Sequence, residues 1–504
     1  MPLKFEIYRD GTRLTTFAPT AAIVIGPESV PMPGEVSFRD GMLVVHRADT
    51  QAAAVGLLWD AGSQGQYHLE TTRLPPRPEP YNLNLELARM RLMKIVQKLE
   101  DWNLFDFPRI EKYTQRFKDA QMLFADALGY KDDPAAAARL ADQSLAISLD
   151  LSEQLAAFHC ELLINRRRAG NGFARHVFGC RVNPAIQNQK YREMLINNFD
   201  YAVMPMSWKQ LQPQEGEFET TEVDHWVETL ALKRTPIIAG PLVSFDGPDT
   251  PAWLYVWEND FDTIRELTYQ YVQKVVHRYR KAVAAWNVVA GLHTNIAFAF
   301  TFEQIIELTR LVVAQIKNML PNSRVLITVS HPFGEYAAKA KSGVPPMLYA
   351  EMVAQAGINF EAFAVELELG VPEPGHFMRD LFQISSMLDR FATLGRPVSL
   401  TAVSAPGRAN PDPGDRSEGR LDPSAAGRWH RPWDPQLQAE WLEAVYRIAM
   451  SKPFIESIAW GSLADISPAL AGGGLLDDML QPKPAFTRLQ AMREQFHSWS
   501  TKKA

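Results

Sequence analysis

Along the first 75 residues, apolar and polar positions alternate in short runs broken by turn residues. LKFEIYRDGTRLTTF places Asp-Gly between two such runs, and FRDGMLVV repeats the device. A period of two with an Asp-Gly break predicts β-hairpins. AAIVIG and VGLLWDAG continue the pattern. Residues 1–75 therefore read as a small antiparallel, sandwich-like β domain, with a structural cap, a dimerisation module and a sugar-binding module as its possible roles.

TTRLPPRPEPYNL, residues 71–83, holds four prolines and predicts a stiff connector. Beyond it the period lengthens. NLELARMRLMKIVQKLEDW and DAQMLFADALGY carry apolar residues at helical spacing. A long run then begins with Asp132-Asp133-Pro134, a helix-start signal. Residues 76–170 thus form a connector and a helical segment of the kind that braces a neighbour or builds an interface.

From about Gly179 the pattern becomes strand, loop, helix, repeated. FGCRVN, YAVMPM, PIIAGPLVSF, AWNVVAG, RVLITVS, AFAVELEL, PVSLTAVS and SIAWGSL are short and mostly apolar, as strands buried on both faces are. Amphipathic stretches such as TFEQIIELTRLVVAQIKNML separate them. Eight such units predict an α/β fold, a (β/α)8 TIM barrel spanning residues 171–504. No G-x-G-x-x-G follows any of these strands, which argues against an open dinucleotide-binding sheet.

Composition narrows the function. A formal net charge of −6 gives no electrostatic footprint for nucleic acid, and no apolar run is long enough for a membrane span. The start of the chain shows no basic stretch followed by an apolar one, and the two cysteines, Cys160 and Cys180, make no disulfide framework. The expectation is a cytoplasmic protein with two buried thiols. No cofactor is implied. Twelve Trp and 26 Phe suit both a large core and a sugar site.

The order of motifs resembles glycoside hydrolase family 10, the endo-xylanase family. The resemblance runs from NNFDYAVMPMSWKQLQPQEGEFETTEVDHWV at the second strand, through AGPLVSFDGPDTPAWL at the third and VVHRYRKAVAAWNVVAG at the fourth. It continues with GRPVSLTAVSAP at the seventh and SIAWGSLADISPALAGGGLLDDMLQPKPAF at the eighth, covering about residues 179–495. It implies two catalytic glutamates, an acid/base after the fourth strand and a nucleophile on the seventh. Those positions fall on Gly291 and Ala402, neither of which transfers a proton or forms a glycosyl ester. The family's His on the third strand matches Phe245, and its Glu-Asn pair on the second falls near Met204 to Met206. An apolar floor leaves sugar hydroxyls without partners.

Other polar groups stand at strand ends. Glu366 and Glu368 are two apart on the sixth strand and so share a face, where like charges raise one pKa. His293 and Asn295 follow the fourth strand, Asp246 the third and His331 the fifth. His293, Glu366 and Glu368 have the chemistry of a metal site, but no ligand spacing supports one, and no metal is expected. The resemblance makes Trp460 a sugar-packing residue and retains Trp208; together with Asn295 and Glu366 these are the candidate ligand contacts. The segment 405–436 is a long polar loop whose Arg408, Arg416, Arg420, Arg428 and Arg431 are candidates to cover the cleft or to contact Glu366 and Glu368.

The first reading is an inactive glycosidase relative, a carbohydrate-related binding or scaffold protein, with homo-oligomerisation through the N-terminal parts. The second is a glycosidase or other hydrolase with relocated carboxylates drawn from Glu366, Glu368 and Asp246. The third is a purely structural assembly component.

Overall fold

The computed structural model describes residues 2–170, 172–246, 249–340, 342–411, 422–466 and 470–500. Both Asp-Gly signals form hairpins. Asp10-Gly11 joins Tyr8–Arg9 to Thr12–Arg13, and Asp40-Gly41 joins Glu35–Arg39 to Met42–His46. All four turn residues have φ between 50° and 74°, the left-handed conformation that such tight turns require. Besides the separate two-stranded hairpin of Tyr8–Arg9 and Thr12–Arg13, the strands build two small sheets. One has four strands and takes in Tyr81–Asn82, beyond the proline-rich stretch; the other has five. Phe5, Val24, Leu43, Val55 and Leu57 are fully buried between them.

Three helices follow: α1 (Leu83–Asp101), α2 (Glu111–Gly129) and α3 (Pro134–Ala169). The Asp133 side chain accepts a hydrogen bond from the Ala136 N–H and Pro134 opens the helix, as the Asp-Asp-Pro signal predicts. The helices brace the flank of the third region through buried polar contacts. Arg91 of α1 donates from Nη1 to Ser152 of α3 at 3.2 Å and to Asp380 at 3.3 Å. Trp102 Nε1 donates to Asp389 at 2.8 Å, and Lys452 Nζ meets the same carboxylate at 2.5 Å.

The third region is a closed barrel of eight parallel strands: β1 (Phe178–Arg181), β2 (Tyr201–Met204), β3 (Ile237–Ala239), β4 (Ala285–Asn287), β5 (Arg324–Val329), β6 (Ala362–Glu368), β7 (Val398–Ser404) and β8 (Ile455–Trp460). β8 closes on β1 through Ile458 and Phe178. Each strand occurs where a short apolar run was read. Burial on both faces, inside by barrel side chains and outside by helices, is why the runs do not alternate. Beyond β3 and β4 the pair Val243–Ser244 and Val289–Ala290 extends the wall.

The sheets and barrel are interlocked. Arg428–Trp429, in the loop after β7, is the edge strand of the five-stranded N-terminal sheet, pairing with Gln66 and Gly65. His68 N–H donates to Met378 O at 3.0 Å, so the β domain also seats the loop after β6. Cys160 and Cys180 are buried and unpaired. No described helix is long and apolar enough to cross a membrane.

Candidate functional site

The C-terminal ends of the strands open onto a cavity of about 940 Å³. Its wall includes Arg181 at the end of β1, Asp246 after β3, Ser330 and His331 after β5, Glu366 and Glu368 on β6, and His376 in the next loop. In a barrel this is the face on which side chains from different strands converge.

Asp246 is held from two sides. His331 Nε2 lies 2.9 Å from Oδ2, and Thr294 Oγ1 donates to Oδ1 at 3.3 Å. Burial works to raise the Asp246 pKa, but the hydrogen bond and charge of His331 outweigh it, and the carboxyl sits below its ordinary range. His331 is correspondingly raised: burial opposes its charge, and the bond to Asp246, with the nearby Glu366 charge, more than compensates. Its ring meets His376 edge-on at 4.9 Å. His376 is lowered, by burial first and then by the charge of His331, and its Nδ1 lies 2.8 Å from Glu368 O.

Glu366 and Glu368 share the cavity face of β6, as their spacing requires. Burial pushes the Glu366 carboxyl up to about 7; Arg181, with Nη1 at 3.8 Å, opposes this, while Glu368 and Asp246 add to it. Arg181 is itself raised: burial opposes its charge, and Glu366, Glu368 and Asp249 overcome that. The cavity thus contains a carboxyl that carries a proton near neutrality and another held ionised.

Gly291 and Ala402 have their own geometry. Gly291 has φ +64°, and a Cβ built on it would lie 2.5 Å from Asp246 Cβ. The space beside this backbone is occupied by Asp246. Ala402 is fully buried and is paired in register with Glu366. Phe245, the match for the family's third-strand His, is buried against Phe298 at 4.8 Å and does not line the cavity, whereas Met206 does.

Several expectations change. His293 does not reach the cleft: it is fully buried, its Nε2 lies 2.9 Å from Ser330 O, and its ring stacks on Tyr349 at 4.7 Å. Burial lowers its pKa to about 4, so it is a neutral packing residue. Trp460 is also fully buried, donating to Gly473 O at 2.8 Å and packing on Trp441, outside the cavity wall. Trp208 stacks on Tyr271 at 4.5 Å and bonds Gln212. Neither indole faces the cavity. Asn295 does line it, but its amide ties two loops together through Phe300 O and Ser342 O. Among the described residues no three His, Cys, Asp or Glu side chains come together as metal ligands.

The long loop does not bring Arg428 or Arg431 to Glu366. Arg428 bonds Asp60 of the β domain at 2.9 Å, and Arg431 pairs with Asp434. Arg416 and Arg420 lie outside the described residues. The cation facing Glu366 is Arg181, which sequence reasoning passed over although it is the charge that closes the run FGCR. His376, in the loop after β6, was likewise missed.

Residues 168–296 match the model of glycosyl hydrolase family 10. The match takes in the second-, third- and fourth-strand motifs, including Asp246 and Gly291, and ends short of β5. A search of curated proteins finds no match. Among solved structures, xylanase 10B of Thermotoga maritima is similar at 14% identity and a TM-score of 0.48, over 67% of this chain and 98% of that one. Xylanase B of Clostridium stercorarium F9 is similar at 17% identity and a TM-score of 0.47, over 65% and 98% of the two chains. Xylanase 10B of Thermotoga petrophila RKU-1, solved with xylobiose, is similar at 15% identity and a TM-score of 0.48, over 64% and 95%.

Proposed function

We propose that the barrel is a carbohydrate-related binding protein of family-10 type in which the retaining, double-displacement hydrolysis of that family does not operate. The observation that carries this reading is at Gly291, where the family resemblance sets the acid/base. A left-handed backbone and the Cβ of Asp246 leave no room there for a glutamate side chain. At the nucleophile position Ala402 offers only a methyl group. Retaining hydrolysis needs a carboxylate that forms a glycosyl ester, and the resemblance leaves none in that place. The open cavity, with Arg181, Asp246, Glu366 and Glu368 in its wall, favours a ligand-binding role over a purely structural one. Two buried, unpaired cysteines fit a cytoplasmic setting. Association through the N-terminal parts is part of the same proposal, and exposed Met93, Met122 and Tyr130 on and beside α1 and α2 support it.

Incubation with a 2-deoxy-2-fluoro xyloside bearing a good leaving group tests the mechanism, because such compounds trap the glycosyl ester. Intact mass is expected to stay unchanged. Calorimetric titration with xylo-oligosaccharides tests the binding. A stoichiometric mass increase would overturn the loss of double displacement, and absence of any heat would overturn the binding role.

A further inference from the structure

The two positions that the resemblance leaves without a carboxylate each have one close by, from the preceding strand. Asp246, after β3, fills the space beside Gly291, which follows β4. Glu366 on β6 is the register partner of Ala402 on β7. Both carboxyls line the same cavity. Their surroundings differ in kind. Asp246 receives Thr294 O–H and pairs with His331, contacts that favour the ionised form. Glu366 has a second carboxylate, Glu368, on its own strand face and faces Arg181 Nη1 at 3.8 Å.

We propose that Glu366 and Asp246 are a relocated acid–base pair that cleaves a glycosidic bond in the barrel mouth by direct addition of water. This rests on the reading that the cavity holds a saccharide. Glu366 gives its proton to the glycosidic oxygen as the bond from that oxygen to the anomeric carbon breaks. Asp246 takes a proton from a water whose oxygen bonds to that carbon. One water is consumed, two saccharides leave, and solvent exchange returns the proton from Asp246 to Glu366. No glycosyl ester forms, so the anomeric configuration inverts. His331 is a positioning residue that keeps Asp246 ionised. The elevated Glu366 and depressed Asp246 pKa values separate the two roles in the required sense.

The test uses the full chain at stoichiometric concentration with xylohexaose and a panel of aryl β-glycosides. Products are followed by chromatography, anomeric configuration by NMR, and binding by calorimetry on the same samples. Expected are inverted products, a rate that falls as pH rises through about 7, and a loss of about 10²–10⁴-fold in E366Q and D246N with binding kept. E366Q is near-isosteric, and its pH profile serves should D246N fail to fold. Binding without products, products of retained configuration, or turnover indifferent to E366Q would each overturn the pair while leaving the binding role intact. Neither binding nor products would overturn the binding role and the pair with it.

Discussion

The charges on the flank of the barrel and those at its mouth are arranged on opposite principles. On the flank, Arg91 meets Asp380 and Lys452 meets Asp389, with Ser152, Ser385 and Trp102 completing the hydrogen bonds. Each buried charge there has a counter-charge. At the mouth, Glu366, Glu368, Asp246 and Asp249 share a cavity with Arg181 and His331, and one carboxyl answers by keeping its proton. On the flank the Arg91–Asp380 pair joins α1 to the barrel, and Asp389, paired with Lys452 inside the barrel, receives Trp102 from the end of α1. The mouth holds charge that is incompletely matched, which costs stability and leaves groups free for a ligand. Pairing, more than burial, separates the two regions.

The largest effect is expected on the flank. Asp380→Ala strands the Arg91 guanidinium in a buried site and is expected to lower unfolding free energy by roughly 3–5 kcal/mol, read by urea denaturation. A loss below about 1 kcal/mol would mean that water reaches Arg91 and that the pair is not a structural joint.

The next lies between mouth and wall. Gly291→Ala forces a side chain into a left-handed position against Asp246, and a loss of about 1–3 kcal/mol is expected. Pairing it with Asp246→Gly removes the clash but not the backbone strain, so only part of the loss should return. Full tolerance of the alanine would show that Asp246 does not occupy that space.

Glu366→Gln sharpens the contrast through pH. The folded pKa of about 7 lies above the ordinary carboxyl value, so the folded protein holds this proton more tightly than the unfolded chain. The contribution is present at acid pH and is lost as pH rises through about 7. The glutamine should therefore match the parent near pH 4 and exceed it at pH 8, by roughly 1–3 kcal/mol, in paired thermal melts. A pH-independent difference would mean that Glu366 titrates normally.

The smallest effect is expected at a solvated pair. Arg428→Ala removes a half-exposed contact with Asp60 and should change stability by about 1 kcal/mol or less. A larger loss would make this ion pair, rather than the backbone pairing of Arg428–Trp429, the anchor of the loop.

Much of the architecture was legible because its causes are local. Asp10-Gly11 and Asp40-Gly41 turn hairpins through their own backbone preference, and Asp133-Pro134 starts α3 by capping and a preset φ. The barrel strands were legible because burial on both faces demands short apolar runs. The site was only partly legible. The alternation along β6 put Glu366 and Glu368 on one face, as read. The inward turn of His293, and the burial of Trp460 and Trp208, could not be read from position along a strand.

The sequence by itself determined the eight β/α repeats, the hairpins, the helix starts and the absence of carboxyls at Gly291 and Ala402, since each depends on a residue and its near neighbours. Only the tertiary structure decided the rest. Asp246 meets His331 across 85 residues, Glu366 meets Arg181 across the barrel, and Arg428–Trp429 joins a sheet at the other end of the chain. Barrel closure sets which strand ends face one another, and that closure is a property of the whole packed ring of strands.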